Sequence, residues 1–377
     1  MRTTFHLKTL AVAIAALSFA SVTNAAGLDR SGQDVTAFFQ DGTYAEAVYT
    51  YIDADVSGRD SANTNPSQND YERGNATGDI AESYDFFRYG VKTDINDTFS
   101  IGVLYDEPFG AAAEYTQGNF VGQGDIDASI ASITDGAAPS LAAAQFGISQ
   151  LEPGETAGLL TDEQQASLDG LRGAVAVATA EATGAGENTN VEVRSQSLTG
   201  ILGMKFGANK NFQIYGGPVA QRIQAETKLR GLAYGPATGY TSNSNPDMDY
   251  GYIAGVSFSK PEIALKAALT YRSEIDHDVE ISESYPLVAI RAISAGATPE
   301  QAAALSNRVS NYEISTPKSV NFDFQTGINP TTLATAKVRW VPWSDFVITP
   351  PLYNDTSKIS YGPDGLNLVE YDDDQWQ

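Results

Sequence analysis

Phe86-Phe87-Arg88-Tyr89-Gly90-Val91-Lys92-Thr93-Asp94 and Phe99-Ser100-Ile101-Gly102-Val103-Leu104-Tyr105 are two alternating runs joined by the tight junction Asp94-Ile95-Asn96-Asp97. In the first run Phe87, Tyr89 and Val91 share one face, and Arg88, Gly90 and Lys92 share the other. In the second, Phe99, Ile101, Val103 and Tyr105 oppose Ser100, Gly102, Leu104 and Asp106. A period of two with opposite polarity describes strands that divide an apolar medium from a polar space. A soluble core does not bury Lys or Arg unpaired. The apolar face is therefore expected toward lipid.

The same rhythm runs outward along the chain. Short junctions recur at Gly207-Ala208-Asn209-Lys210-Asn211, Ser259-Lys260-Pro261-Glu262 and Ile328-Asn329-Pro330-Thr331, and long Gly/Asn/Ser-rich excursions alternate with them. Outer-membrane barrels have this signature: short turns on one side, long loops on the other. Strands are expected at about Tyr44 to Val56, Phe86 to Asp94, Phe99 to Tyr105, Val191 to Phe206, Phe212 to Leu229, Tyr250 to Phe258 and Ile263 to Glu280. Val320 to Gln325 and Thr335 to Trp340 form the next hairpin, and a tenth strand is expected to begin near Leu366. Leu265, Leu269, Phe322, Phe324, Val338 and Trp340 join Phe87, Tyr89, Val91, Phe99, Ile101 and Val103 on the lipid side.

The N-terminus reads as an export signal. Met1-Arg2 and Lys8 make a positive start, Leu10 to Phe19 an apolar core and Thr23-Asn24-Ala25 a small-residue exit, so residues 1–25 are expected to be removed. No run of about eighteen apolar residues occurs elsewhere, which excludes a helical membrane protein. With no cysteine there is no disulfide, thiol catalysis or Cys–metal site. Stability then has to come from elsewhere, and closing a sheet in lipid supplies it by pairing every backbone group. Nineteen tyrosines and sixteen phenylalanines suit aromatic girdles.

The formal charge of −24 becomes −26 when Arg2 and Lys8 leave with the signal. Nucleic acid is excluded as a partner, because phosphate binding needs clustered Lys and Arg. Acid gathers in Asp53-Ala54-Asp55, Asp125-Ile126-Asp127, Asp276-His277-Asp278 and Asp372-Asp373-Asp374. None of these is an Asp-x-Asp-x-Asp-Gly loop, so neither calcium nor any other metal or cofactor is expected. Gly-x-Ser-x-Gly, phosphate-cradling Gly loops and His-Glu-x-x-His are absent as well. His277 would have to serve a barrel phospholipase, yet it looks like a strand end entering an outer loop. No enzyme is expected.

The third strand runs into Glu107-Pro108-Phe109-Gly110. Pro removes a ladder donor and Gly relaxes the backbone, so the sheet either kinks there or the strand simply ends. The longest excursion follows at 111–190. Within it Thr161-Asp162-Glu163-Gln164 has capping-box spacing ahead of Leu168, Leu171 and Val175 at helical intervals. Thr298-Pro299-Glu300-Gln301 signals a second loop helix.

Several stretches together resemble the FadL/TodX family of outer-membrane transporters. They are Leu104 to Ala111, Tyr252 to Val256, Lys260 to Leu265, Leu269 to Ile275 and Val338 to Phe346. The resemblance covers nearly all of the mature chain and implies a fourteen-stranded monomeric barrel plugged by an N-terminal hatch. The hatch maps to 26–42 and the barrel to 43–377, with about four strands lacking at the C-terminus, as expected of a fragment. The family's Asn-Pro-Ala stretch is not visible between Ala26 and Gly42.

The resemblance also implies uptake of long-chain fatty acids or other hydrophobic small molecules, amid outer-membrane lipid and lipopolysaccharide. Ligand would be caught by outer loops containing Leu287, Ile290, Ile293 and Leu305, and received in the lumen near Leu104 and Phe109. Release would be sideways at the kink Pro108-Phe109-Gly110. A ligand carboxylate would meet Arg88, Arg272 or Arg339, unless these pair with Asp323 or Glu274 across the lumen. A general polar porin is the alternative, since the same arginines and Lys92 would also line a wet channel.

Overall fold

The computed structural model describes residues 28–62, 71–329 and 332–377, with the side chains of residues 360 and 361 excepted. The expected export signal, residues 26 and 27, and Pro330-Thr331 lie outside the described residues. Along the chain the strands are β1 (Tyr44–Ile52), β2 (Ser57–Ser61), β3 (Arg73–Asp79), β4 (Tyr84–Asp94), β5 (Phe99–Asp106) and β6 (Gly110–Tyr115). Next come β7 (Thr189–Phe206), β8 (Phe212–Lys228), β9 (Thr241–Ser244), β10 (Asp247–Lys260), β11 (Leu265–Arg272) and β12 (Ile275–Ser284). The last are β13 (Asn307–Thr316), β14 (Ser319–Asn329), β15 (Thr332–Val341), β16 (Val347–Ile348), β17 (Val369–Glu370) and β18 (Gln375–Trp376).

Fourteen of these strands form one antiparallel sheet, whose main path runs β1-β4-β5-β7-β8-β10-β11-β14-β15-β18. The sheet is curled, and a single carboxylate shows it. Asp34 pairs with Arg88 on β4 at 2.9 Å and also with Lys337 on β15. Seven strand-to-strand steps separate β4 from β15 on that path, which would be about 34 Å in a flat sheet at ~4.8 Å per step. Only a wall wrapped around Asp34 lets one side chain touch both.

The outer face is apolar by register. Phe99, Met204, Ile214, Val256, Leu269, Phe322 and Val338 lie directly opposite one another across seven neighbouring strands. All are between 37% and 53% exposed, so a continuous greasy belt faces outward. Phe87, Tyr89, Val91, Ile101 and Val103 are exposed too, whereas Leu265, Phe324 and Trp340 stand on the same face half-buried.

Several boundaries differ from the sequence reading. β1 stops at Ile52, and the loop beyond it holds the small hairpin β2–β3. The strand expected over Ile263 to Glu280 is broken at Ser273-Glu274 into β11 and β12. The outer excursion begins after Tyr115 rather than at Ala111, because β6 continues the wall by pairing with β7. Leu366 to Tyr371 does not begin the tenth strand. Val369-Glu370 pairs with β16 instead, and the tenth position in the wall is taken by Gln375-Trp376 against β15. Helices occupy 126–133, 141–157, 162–183, 286–294, 299–306 and 351–361. The two capping boxes read from sequence, Thr161/Gln164 and Thr298/Gln301, both form.

Candidate functional site

The N-terminal segment sits inside the curl, and glycines make room for it. Phe38 is 1% exposed at the end of a short 3-10 turn, Thr36–Phe39. A Cβ on Gly102 would stand 2.8 Å from its ring, and one on Gly203 would stand 2.9 Å from it. Val35, Phe38, Leu104, Ile201, Tyr215 and Ile253 then close into one cluster. Leu104 is thus covered by the segment rather than open to a ligand.

The lumen arginines are sorted by the same segment. Arg88 meets Asp34 at 2.9 Å and Glu46 at 3.3 Å. Arg339 donates to Asp29 at 2.5 Å, Gln33 at 3.0 Å and Asn321 at 2.7 Å. The wall acids expected to neutralise them turn elsewhere: Asp323 lies 3.5 Å from Lys337, and Glu274 lies 3.7 Å from Lys318. Arg272 differs. It is 3% exposed and donates from Nη1 to Thr199 at 3.2 Å, while its Nε and Nη2 have no partner. Asp106, also buried, accepts from Ser31 at 3.1 Å through one oxygen and leaves the other unused. A buried guanidinium with free N–H groups is costly unless something accepts from them. A small pocket, with room for little more than a water molecule, lies beside it, with Gln33, Phe109, Gln221, Tyr252 and Thr316 in its lining.

Next to that pocket the wall is interrupted. β4 pairs with β5 from Asp94↔Ser100 up to Tyr89↔Tyr105, and contact resumes at the bridge Ala81↔Ala113. Between these points, among the described residues, no backbone hydrogen bond joins Tyr84–Arg88 to Asp106–Ala111. Phe87 N–H reaches the Glu107 carboxylate at 3.4 Å, a long contact. The cause lies in the register against β7. Asp106 faces Ser197 and Gly110 faces Arg194, so four steps on one strand match three on the other. One extra residue bulges the strand and bends it inward.

Pro108-Phe109-Gly110 therefore kinks the third strand without ending it. The freed edge is paired from inside, by Arg30 N–H to Pro108 C=O at 2.8 Å and Gly110 N–H to Leu28 C=O at 2.7 Å. On the other side Ser195 Oγ lies 2.8 Å from Phe109 N and 2.7 Å from Phe109 O. Gly110 leaves room for Arg30 here, because a Cβ would stand 2.4 Å from its Cζ and push the guanidinium aside. Arg30 in turn lies over the Tyr84 ring at 4.3 Å, inside the gap. Phe109 is 2% exposed and meets Trp343 edge-on at 5.7 Å. Ser195, Arg30 and Asp29 carry this arrangement, and no motif in the sequence announced them.

The loop residues expected to form a capture groove separate. Leu287, Ile290 and Ile293 lie on the helix Pro286–Ser294. Leu287 is fully buried in the large outer cluster and Ile290 packs on it, while Ile293 and Leu305 are 52% and 56% exposed. At the opposite end, below the N-terminal segment, a space of about 760 Å³ is lined by Lys92, Lys205, Lys266 and Lys337 together with Phe38 and Phe39. Those lysines bind the Asp94 carboxylate, the Asp34 carboxylate and the carbonyls of Phe39, Gln40 and Gly42.

No family model and no curated protein matches the chain. Among solved structures it is similar to a Pseudomonas aeruginosa FadL homologue, with a TM-score of 0.45 and 13% identity over 89% of this chain and 65% of that one. It is similar also to the P. putida toluene transporter TodX, at 0.40 and 11% over 84% and 67%, and to the Ralstonia pickettii toluene transporter TbuX, at 0.40 and 11% over 96% and 75%. The chain spans just under two thirds of the length of the first of these. These similarities concern the curled antiparallel wall alone, and the resemblance to the FadL/TodX family rests on the sequence stretches quoted above.

Proposed function

We propose that this chain is an outer-membrane protein that takes up hydrophobic small molecules and releases them sideways into lipid. The observation that carries this reading is the bounded break between β4 and the kinked third strand, from which Phe109 reaches a small pocket at Arg272. An apolar ligand gains by leaving water and has little reason to cross a wet, lysine-lined space beneath the N-terminal segment. A gap in the wall lets it pass from the pocket to the bilayer without meeting that space. Phe109 and Arg30 stand between pocket and gap, and their movement would gate the route. The segment would thus act as a hatch that stays in place during transport. The chain would work as a monomer among outer-membrane lipid and lipopolysaccharide, without cofactor or catalytic group.

Fatty acids are the ligand class best suited to the site. Arg272 offers a desolvated guanidinium with free donors, and a carboxylate is its natural bidentate partner. The apolar chain would run toward Phe109. A polar porin is the weaker reading, because the segment fills the lumen and neutralises two of the three arginines.

Replacing Pro108 with Thr and Gly110 with Val tests the route. The double variant restores ladder donors and displaces Arg30, so uptake of labelled oleate into cells should fall at least tenfold. Binding by purified protein, and heat-modifiable mobility as a measure of folding, should remain. Undiminished uptake by a correctly folded variant would sink the sideways route.

A further inference from the structure

The wall is interrupted a second time, far from the third strand, and what spans it there is a set of metal-ligating side chains. The β10–β11 ladder ends near Ser273 N–H to Tyr252 C=O at 3.0 Å, and pairing resumes at Asn245 N–H to Glu280 C=O at 2.8 Å. On both edges the in–out alternation skips one residue. Ser244 and Asp247 both point inward across Asn245-Pro246, and Arg272 and Ile275 both point inward across Ser273-Glu274. Paired bulges of this kind re-aim side chains. Here they bring Asp247 and Asp249 from one strand and His277 from the other to the inner face, with ligand atoms all within 4.8 Å of one another.

The hydrogen bonds around His277 leave one position for a cation. Gln221 donates from Nε2 to Ser197 at 3.2 Å, so its Oε1 faces the Thr316 hydroxyl at 2.7 Å and His277 Nε2 at 3.1 Å. An amide oxygen accepts only, so Nε2 carries a proton, and a neutral ring then has none on Nδ1. That leaves a lone pair on Nδ1 of a fully buried ring, pointing at Oδ2 of Asp247 3.3 Å away. Two acceptors face each other. Asp249 is half-buried beside them, and among the described residues no hydrogen bond or ion pair ties its carboxylate.

We propose that Asp247, Asp249 and Nδ1 of His277 bind one divalent first-row transition ion, for which zinc is the probe. One imidazole and two carboxylates suit zinc, whereas calcium and magnesium prefer all-oxygen shells with more ligands. Bonds of about 2.0–2.1 Å put tetrahedral ligands roughly 3.4 Å apart, inside the 4.8 Å that now spans the three atoms, so the half-buried Asp249 is the ligand that adjusts. Gln221 is the outer partner that fixes the tautomer and the ring. The ion neutralises two acids on the inner face and cross-links the strands where the ladder is lost. This inference revises the expectation from sequence that the chain holds no metal, and it does not depend on what the protein transports.

The test uses the full-length, tag-free protein in detergent, stripped with a chelator and dialysed against zinc, calcium or magnesium. One zinc per chain should bind, and neither calcium nor magnesium should displace it. Asp249→Asn and His277→Gln should each weaken zinc binding at least tenfold. Zinc should raise the unfolding temperature of the parent and leave that of Asp249→Asn unmoved. Among the described residues Asp249 has no hydrogen-bond or ion-pair partner to lose, so this variant should fold as the parent does, and heat-modifiable mobility checks it. If the parent binds no zinc, if both variants bind it as tightly, or if calcium binds equally well, the site is refuted.

Discussion

The wall is broken in two places, and the two breaks are held in different ways. At the third strand the freed backbone is paired by another stretch of backbone, Leu28 to Arg30, which comes from far away in the chain. At Ser273-Glu274 no outside segment intervenes, and side chains of the two flanking strands face each other across the gap. The first break is thus as movable as the segment that fills it. The second is closed by its own edges and can be locked in place without blocking the lumen. One sheet can therefore keep a passage beside a fixed joint. What distinguishes them is the origin of the closing group, since each is built from one-residue bulges, a single one at the third strand and a pair at the second break.

This comparison can be broken most severely at Arg339. Its ion pair with Asp29 is almost completely buried, at 5% and 1% side-chain exposure. Arg339→Met leaves Asp29 as an unpaired buried charge and should cost about 3–5 kcal/mol. The double variant with Asp29→Asn should recover most of that loss. Urea unfolding in detergent checks both, and the His277 site should be unaffected in either. A smaller effect is expected from Gly102→Val, whose side chain collides with Phe38. Overpacking of this kind costs about 1–3 kcal/mol. Conductance in planar bilayers should rise as the segment is pushed from the lumen.

Arg272 lies between the two breaks and sharpens the contrast. Arg272→Met should weaken oleate binding about tenfold, roughly 1.4 kcal/mol, and leave binding of an uncharged alkane unchanged. Equal loss for both ligands would mean that the residue shapes the pocket rather than meeting a carboxylate. The least effect is expected far from either break. Arg172 pairs with Glu152 and Glu155 on the outer helices at 40% exposure, and Arg172→Ala should cost about 0.2–1 kcal/mol. A larger change there would show that the helical cap braces the wall.

Much of the wall was legible because its outward face is apolar and its inward face polar, residue by residue. Phe87, Tyr89, Val91, Phe99, Ile101 and Val103 alternate strictly with small or polar residues, and they stand outward as that pattern requires. The bulges were not legible. An extra residue at Ser273-Glu274 leaves both flanking runs alternating, so the sequence reads as one strand while the structure shifts its phase. His277 shows the consequence. Its sequence neighbours Asp276 and Asp278 point outward, and its acidic companions Asp247 and Asp249 come from the adjacent strand through a register that two bulges set. The arginines hid their partners for a related reason. The sequence offered wall acids such as Asp323 and Glu274, and for Arg88 and Arg339 the closest acids in space, Asp34 and Asp29, belong to the N-terminal segment. Leu287 and Ile290 were legible as apolar loop residues. Only the fold shows that helix Pro286–Ser294 buries the first of them in the loop cluster.

Asp29 and Asp34 reach partners 310 and 303 positions further along the chain. Neither contact can form until β15 has joined the wall. The segment from Leu28 to Phe39 is therefore among the last to find its place, and the long loop it must close carries an entropic cost that nothing repays until then. Assembly order follows from that. The cylinder has to be curled and nearly complete before its stopper can be seated, so the folding protein passes through an unplugged stage whose duration is set by how fast the late hairpins arrive.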